Sequence, residues 1–494
     1  MLRLDLPTAL ELSGSRPIDV QLAQERVRGA GAVLLQANAL WLPSITIGGD
    51  YYRHDGAIQD SSGVIDDNSH GTAMFGVGSG IGPSAVLSPN DAIFSSQAAR
   101  QTLSARRSEV QAATNDSMLA VTNAYFLVQQ SRGNLAAAQD ATRRTEEIVR
   151  RIRSLAAGLV PPLEVVRAEA ELARRQQAEL FARENWQVNG TELARILRLD
   201  ASAQVEPVEP PQLQITLVEP ERSIDELITI GLSSRPELAA DQALVQAALA
   251  RLRQEKLRPF IPSILLRGDS TSVGGTLGAG VVAGGTNGDL GSTTARSDWD
   301  LQVLWQLDNL GLGNLARARV RDSEHCQAIL ELFREQDRVA AEVARAFAQA
   351  RQARRRVEVA DRQVRLAVDS YDKNLMGLGQ VRTVGEMVQT IVRPQEVIAA
   401  IQSLAQAYSD YFAATADSNR AQFRLYRAMG QPAQMLGQRM ENRDAAAPPP
   451  GSPPPGPPPS AQPIPPGAPP PAPPVSGTSY EASFGVRDRE SDGR

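Results

Sequence analysis

The strongest constraint on this chain is a passage that occurs twice. Arg16-Pro17 leads through Trp41-Leu42-Pro43-Ser44-Ile45-Thr46-Ile47-Gly48-Gly49-Asp50, and Arg235-Pro236 leads through Phe260-Ile261-Pro262-Ser263-Ile264-Leu265-Leu266-Arg267-Gly268-Asp269. Superposing Pro17 on Pro236 also superposes Pro43 on Pro262, Gly49 on Gly268 and Asp50 on Asp269, an ungapped offset of about 219 residues. The chain is an internal duplication. Each copy reads as a helix halted at a proline and followed by a short alternating strand, because proline cannot continue a helix and drives the residue before it toward extended backbone.

Between and around these copies the sequence predicts long helices. Residues from about 7 to 40 are helix-compatible, and from Asn90, a plausible N-cap, the chain can run as one helix to about Leu155. Its seam is Val121, Tyr125, Val128, Leu135, Ala138, Thr142, Thr145, Val149 and Ile152, spaced by threes, fours and sevens. At about 1.5 Å per residue such a helix is roughly 100 Å long. Gly158 and Pro161-Pro162 stop it, and a return helix is expected from about 163 to 199. The second copy repeats the plan with helices at about 223–258, 314–375 and 384–429. Val343-Ala-Arg-Ala-Phe347 echoes Val121-Thr-Asn-Ala-Tyr125. Aromatics are only 4% of the chain, which suits helices packed through small side chains.

The strands are fewer and shorter. Ile45, Ile47, Gly49 and Tyr51 share one face of the first, and Phe75, Val77 and Ile81 one face of a Gly-rich second. Ile264, Leu266 and Gly268 repeat the first pattern, and Trp299, Leu301, Val303, Trp305 and Leu307 alternate with polar residues. Four short strands with one apolar face need a cover, either a protein layer or lipid. Aromatics such as Tyr51, Trp299 and Trp305 opposite Asp50, Asp298 and Asp300 match the signature of a membrane barrel, whose closure requires several chains; an ordinary sheet capping a helical bundle fits the same strands.

Several function classes are excluded. With 51 basic and 56 acidic residues and a net charge of -5, the chain carries no basic field, so nucleic acid is not an expected partner. The single Cys326 rules out an intramolecular disulfide and a cysteine-cluster metal site. His54, His70 and His325 supply neither a triad nor metal-ligand spacing, so no enzyme, metal or cofactor is expected. No run of eighteen apolar residues offers a transmembrane helix, and Met1-Leu2-Arg3-Leu4-Asp5-Leu6 shows no signal peptide. Three segments are expected: a first structural repeat at 1–215, a second at 216–437, and a disordered tail at 438–494. In that tail, residues 448–474 hold 17 of the 33 prolines.

Taken together, the duplicated order of helix, two strands, long helix and return helix resembles the outer-membrane factor family, the TolC-like channels of efflux and type I secretion. The Leu-Pro-Ser-Ile and Ile-Pro-Ser-Ile strand starts, the tip Ala157-Gly158-Leu159-Val160 leading to Leu163-Glu164-Val165-Val166-Arg167-Ala168-Glu169-Ala170, and the closing Asn419-Arg420-Ala421-Gln422-Phe423-Arg424-Leu425-Tyr426-Arg427-Ala428-Met429-Gly430 carry the resemblance over about residues 4 to 435. It implies a mainly α fold with a small β part: long antiparallel helical hairpins forming an α-barrel, plus four strands per chain contributing to a trimeric, 12-stranded transmembrane β-barrel.

It also implies a passive, non-enzymatic outer-membrane channel with a periplasmic helical extension. Its partners would be two further copies of itself (a homotrimer), outer-membrane lipid, a periplasmic membrane-fusion adaptor and an inner-membrane pump. On the same resemblance Glu164, Arg382 and Glu386 form the gate, with Glu386 in an acidic ring and Glu164 latched to Arg382. Gly158, Leu159, Leu378 and Gly379 are adaptor-contact tips, and Trp41, Tyr51, Trp299 and Trp305 are membrane-interface aromatics. The family's gate tyrosine has no counterpart in register, Tyr371 lying too early. The competing expectation is a soluble coiled-coil scaffold whose Pro-rich tail recruits SH3-like or WW-like modules.

Overall fold

Two helices of 67 and 66 residues, Pro89–Leu155 and Leu312–Gly377, set the frame to which every other element is attached. The computed structural model describes residues 2–430 apart from 15–16, 43–46, 60, 78–83, 156–159, 201, 220, 268–277, 287–289, 299 and 385–386. In chain order the elements are β1 (Leu2–Leu4), α1 (Leu6–Ser13), α2 (Ile18–Ala39), β2 (Ile47–Gln59), β3 (Ile65–Val77), β4 (Ser84–Leu87), α3 (Pro89–Leu155), α4 (Pro162–Ile196) and β5 (Val205–Pro207). The second half holds α5 (Ile224–Ser234), α6 (Pro236–Leu257), β6 (Ser263–Arg267), β7 (Gly278–Thr286), β8 (Ser292–Asp298), β9 (Asp300–Leu304), α7 (Leu312–Gly377), β10 (Val381–Val384), β11 (Met387–Thr390) and α8 (Pro394–Ala428).

The long helices form where the seam predicts them. Of its nine positions on α3, all are buried except Ala138, which is half-buried. α3 packs against α2, α4, α6 and α8, and α7 against α5, α6 and α8. Small residues set the spacing. A Cβ added at Gly133 would meet the Phe412 ring at 2.7 Å, so α3 and α8 approach there as only glycine allows.

Two helices expected to be continuous are broken at the duplicated Arg-Pro. Pro17 starts α2 and Pro236 starts α6. Arg235 is extended (φ -70°, ψ 124°), as a residue before proline must be, and this leaves α1 and α5 as separate short helices. A larger correction concerns the second tip. Helix was expected from about 384, but α8 begins at Pro394, and 381–390 fold as an antiparallel hairpin pairing Val381 with Thr390 and Val384 with Met387. Six residues (156–161) join α3 to α4, whereas sixteen (378–393) join α7 to α8.

The strands form four passes in antiparallel order. β2-β3-β7-β8 make a four-stranded sheet, and β4-β6-β9 a three-stranded one that shares three of those passes, since β4 follows β3, β7 follows β6 and β9 follows β8. Thirteen consecutive pairs fix β2 against β3, from Ile47↔Val77 to Gln59↔Ile65. Successive rows alternate in chemistry. Gly49–Phe75–Val281–Ala295 is apolar and Gly48–Gly76–Gly280–Arg296 is not, while lower in the sheet Ala85–Leu266–Leu301 and Leu87–Ile264–Val303 are apolar rows. The halves of the duplication meet at β3–β7 and β4–β6.

Candidate gate and clamp

The end of the helical part is closed by a core of Ile148 and Ile152 from α3, Tyr371 from α7, and Val397, Ile401 and Leu404 from α8. Beside it α4 and α8 are tied by two rungs. Glu164 Oε1 accepts from Gln395 Nε2 at 3.0 Å, and seven residues on, Glu171 Oε2 accepts from Gln402 Nε2 at 2.9 Å. One heptad separates both partners, so the rungs repeat on one seam. Glu164 also takes Arg167 Nη1 at 2.6 Å, and Glu171 takes Arg174 and Arg175. Both carboxylates are buried, and Glu164 Oε2 has no hydrogen-bond partner.

Glu164 therefore joins the first helical hairpin to the second, through a neutral amide and with Arg167 as its guanidinium. Arg382 lies in β10, its backbone paired with Gln389; Glu386, Gly158 and Leu159 lie outside the described residues. Leu378 and Gly379 are half-buried. Gly379 (φ +88°) holds a left-handed turn against Leu155, and Leu378 bridges to Val392. Tyr371 does sit in the tip core, fully buried with the Arg144 guanidinium 4.9 Å from its ring centre; burial pushes its hydroxyl up.

At the opposite end of the helices, apolar side chains project where strands begin and end. Trp41 is 50% exposed, Phe260 75% and Trp305 61%, joined by Leu307, Leu310 and Leu312. Tyr51 is exposed on β2, while Trp299 lies outside the described residues.

Residues 11–197 match the family model described as outer membrane efflux protein, a span from α1 to the end of α4. That part of the chain carries the family's sequence pattern. No curated protein matches it by sequence. Solved channels share its fold. OprN superposes with a TM-score of 0.69 at 16% identity, covering 87% of this chain and 90% of that one. VceC from Vibrio cholerae gives 0.67 at 16%, covering 87% and 96%. MtrE of Neisseria gonorrhoeae, solved in its open state, gives 0.67 at 17%, covering 86% and 89%. The match and the superpositions agree: the first half carries the sequence pattern of outer membrane efflux proteins, and the whole described fold is that of solved outer-membrane channels.

A second group of residues, whose roles sequence reasoning missed, clamps the middle of the helices. Arg235 is buried. It donates Nε to the Ala428 carbonyl (2.9 Å) and Nη2 to Glu342 Oε2 (2.5 Å). Arg427 reaches Asp116 (2.7 Å), Glu342 (3.0 Å) and Glu237 (3.0 Å), and Arg338 adds a bond to Glu342 Oε1. Burial opposes ionisation of Glu342, but the three guanidiniums outweigh it and hold its carboxyl below the usual range.

The connector after β5 is stapled on as well. Asn419 accepts from Ile215 N and donates to the Leu213 carbonyl, acting as a surrogate strand, while Gln422 accepts from Leu217 N and Val218 N. Tyr125 donates to Glu209, whose other oxygen caps Leu6 N at 2.7 Å, so α3 also fixes the start of α1. Arg235 and Arg427 both stand in passages that carried the duplication or the resemblance. Their partners lie up to 311 residues away, which no local spacing reveals.

Proposed function

We propose that three copies of the chain close a twelve-stranded barrel in the outer membrane, and that the helices form a conduit gated at the 160–172 and 378–404 end. The observation that carries this reading is the four-pass sheet. Its outer strands, β2 on one side and β8 on the other, pair with no further strand among the described residues, and long open edges are a liability that closure removes. Among the described residues no helix is long and apolar enough to cross a membrane, so a lipid-facing surface falls to the strands. Trp41, Tyr51 and Trp305, with Phe260 beside them, supply the interface aromatics.

Exposed apolar side chains on the outer helices support closure by neighbouring copies. Leu163, Val166, Leu180 and Phe181 line α4, and Leu330, Phe333, Val359 and Leu366 line α7. The four passes and paired long helices are the products of the duplication, dividing the chain at about residue 215 into two repeats, with 438–494 as an appended tail. Energy and cargo choice come from an inner-membrane pump reached through a periplasmic adaptor, in an efflux or type I secretion assembly. The adaptor meets the tips at 156–159 and 378–390.

The gate is carried by Glu164, Arg382 and Glu386. Glu164 keeps one oxygen available to a guanidinium, and Glu386, which follows β10 in sequence, would ring the axis in three copies. The test is sizing of the detergent-solubilised protein followed by planar-bilayer recording. A trimer with cation-selective conductance that weakens in Glu386→Gln is expected. A monomer refutes the barrel, and unchanged selectivity removes Glu386 from the gate.

A further inference from the structure

We propose that His54 and His70 form a two-imidazole site for a divalent transition-metal cation, one site per chain. The two residues are sixteen apart in sequence and show no ligand spacing there, but the β2–β3 register sets them directly opposite each other. Cross-strand neighbours have Cβ atoms about 4.5–5.5 Å apart, the reach of a bidentate pair of imidazoles. Their ring centroids lie 5.7 Å apart at an interplanar angle of 36°. Two imidazole nitrogens bound to one ion at about 2.0–2.1 Å bring their rings to a roughly similar centroid spacing, so little rearrangement is required.

The hydrogen bonding assigns the donor atoms. His54 Nε2 lies 3.3 Å from the Gly56 carbonyl, which can only accept, so the proton resides on Nε2 and the lone pair on Nδ1. A backbone carbonyl on the far nitrogen is also what fixes tautomer and ring orientation in metal-ligating histidines. His70 Nδ1 is buried and has no hydrogen-bond partner, and a buried polar atom left unsatisfied marks a place where an ion or water belongs. Tyr52 packs against the His70 ring (centroids 5.9 Å apart) and restrains it.

The nearest acidic residue along the strand is not available as a third ligand. Asp55 is engaged by Arg53 and by Ser69, and adjacent strand residues face opposite sides of the sheet. Among the described residues no third His, Cys, Asp or Glu joins the pair. Water therefore completes the coordination, and the ion exchanges freely. Nitrogen-only protein ligation selects the imidazole-preferring cations Cu²⁺, Ni²⁺ and Zn²⁺ over Mg²⁺ and Ca²⁺.

Among the described residues, the row His54–His70–Thr286 is the last in which β7 pairs with β3. Its placement at the channel mouth rests on the barrel reading, whereas binding does not, so the two can fail separately. The test titrates Cu²⁺ into full-length detergent-solubilised protein purified without a polyhistidine tag, and follows it by electron paramagnetic resonance. The expected result is one Cu²⁺ per chain with two nitrogen ligands. Either His54→Ala or His70→Ala should lose the two-nitrogen pattern and retain Cu²⁺ about tenfold or more less tightly, with elution on sizing unchanged. His325→Ala should behave as the parent. A parent protein that binds no Cu²⁺ or shows a single nitrogen, or a double His54→Ala/His70→Ala variant that keeps the two-nitrogen signal, overturns the site.

Discussion

The clamp around Arg235 and the rungs around Glu164 both rest on carboxylates, half-buried in the clamp and buried at the rungs, yet they are fastened in opposite ways. In the clamp Glu342 is shared by three guanidiniums drawn from different helices: Arg235 opens α6, Arg338 lies in α7 and Arg427 ends α8. At the tip the guanidiniums come from the same helix as the acids, Arg167 with Glu164 and Arg174 and Arg175 with Glu171; the links to α8 are single neutral amides. Separating α4 from α8 therefore leaves each carboxylate still charge-paired. Pulling α8 from the clamp takes Arg427 from Asp116, Glu237 and Glu342 at once, breaking three ion pairs instead of neutral amide bonds, which costs more. On the proposed gating, this difference would let the tube open at one end without loosening its middle.

Breaking the clamp should have the largest effect. Arg235→Ala removes its charge-assisted contacts to Glu342 and Glu237 and its bond to the Ala428 carbonyl, and is expected to cost about 3–4 kcal/mol, hydrogen bonds of charged groups contributing about 1.5–3 kcal/mol each. The readout is loss of trimer on heating in detergent. The pH dependence sharpens this. Glu342 has a folded-state pKa below the ordinary glutamate value of 4.5. Its stabilisation is thus present above about pH 4.5 and is lost as pH falls through the lower folded value. Melting temperature should drop in that acid window, and Glu342→Gln should shrink the drop. Next in size comes Asn419→Ala, which leaves the part-buried Ile215 N–H and Leu213 carbonyl without their partner, at a cost of about 1–2 kcal/mol for the two together.

The tip should respond less in stability and more in conductance. Gln395→Ala with Gln402→Ala removes both rungs but no charge pair, so a loss of roughly 1 kcal/mol per rung is expected, in the range of a net hydrogen bond. In bilayers the double variant should pass more basal current than the parent. A variant as unstable as Arg235→Ala, with no change in current, would erase the distinction between the two regions.

How much of this was legible from residues alone follows the range of each interaction. The seam of α3 and the four strand passes repeat over two to seven residues, and the sequence shows them directly. The hairpin at 381–390 left a signal too: Val381, Thr383 and Val384 are β-branched, Gly385 suits a turn, and the offset between copies grows from α3/α7 (155 to 377) to α4/α8 (162 to 394). Reading that stretch in the family's helical register hid it. The Glu164–Gln395 rung, the Asn419 clasp and the His54–His70 pair could not be read, because each depends on a register that only the packed chain sets.

The smallest effect concerns Asp241, one helical turn beyond Glu237 on α6. Glu237 meets Arg235 and Arg427, whereas Asp241 is raised above its usual range, first by burial and then by the nearby acids Glu335, Glu331 and Glu109, with Arg334 offsetting them only in part. An acid whose folded pKa is raised weakens the fold at pH values above that pKa, and the penalty disappears as pH falls to its unfolded value. Asp241→Asn should therefore stabilise the protein at pH 7 by about 0.5 kcal/mol or less, and the gain should vanish as the pH is lowered into the carboxylate range. Thermal melts of the two proteins across pH 4–8 check both statements. A gain that persisted in acid would mean that packing, not charge, limits this turn. The guanidiniums would then be shown to govern the clamp's edge less sharply than its centre.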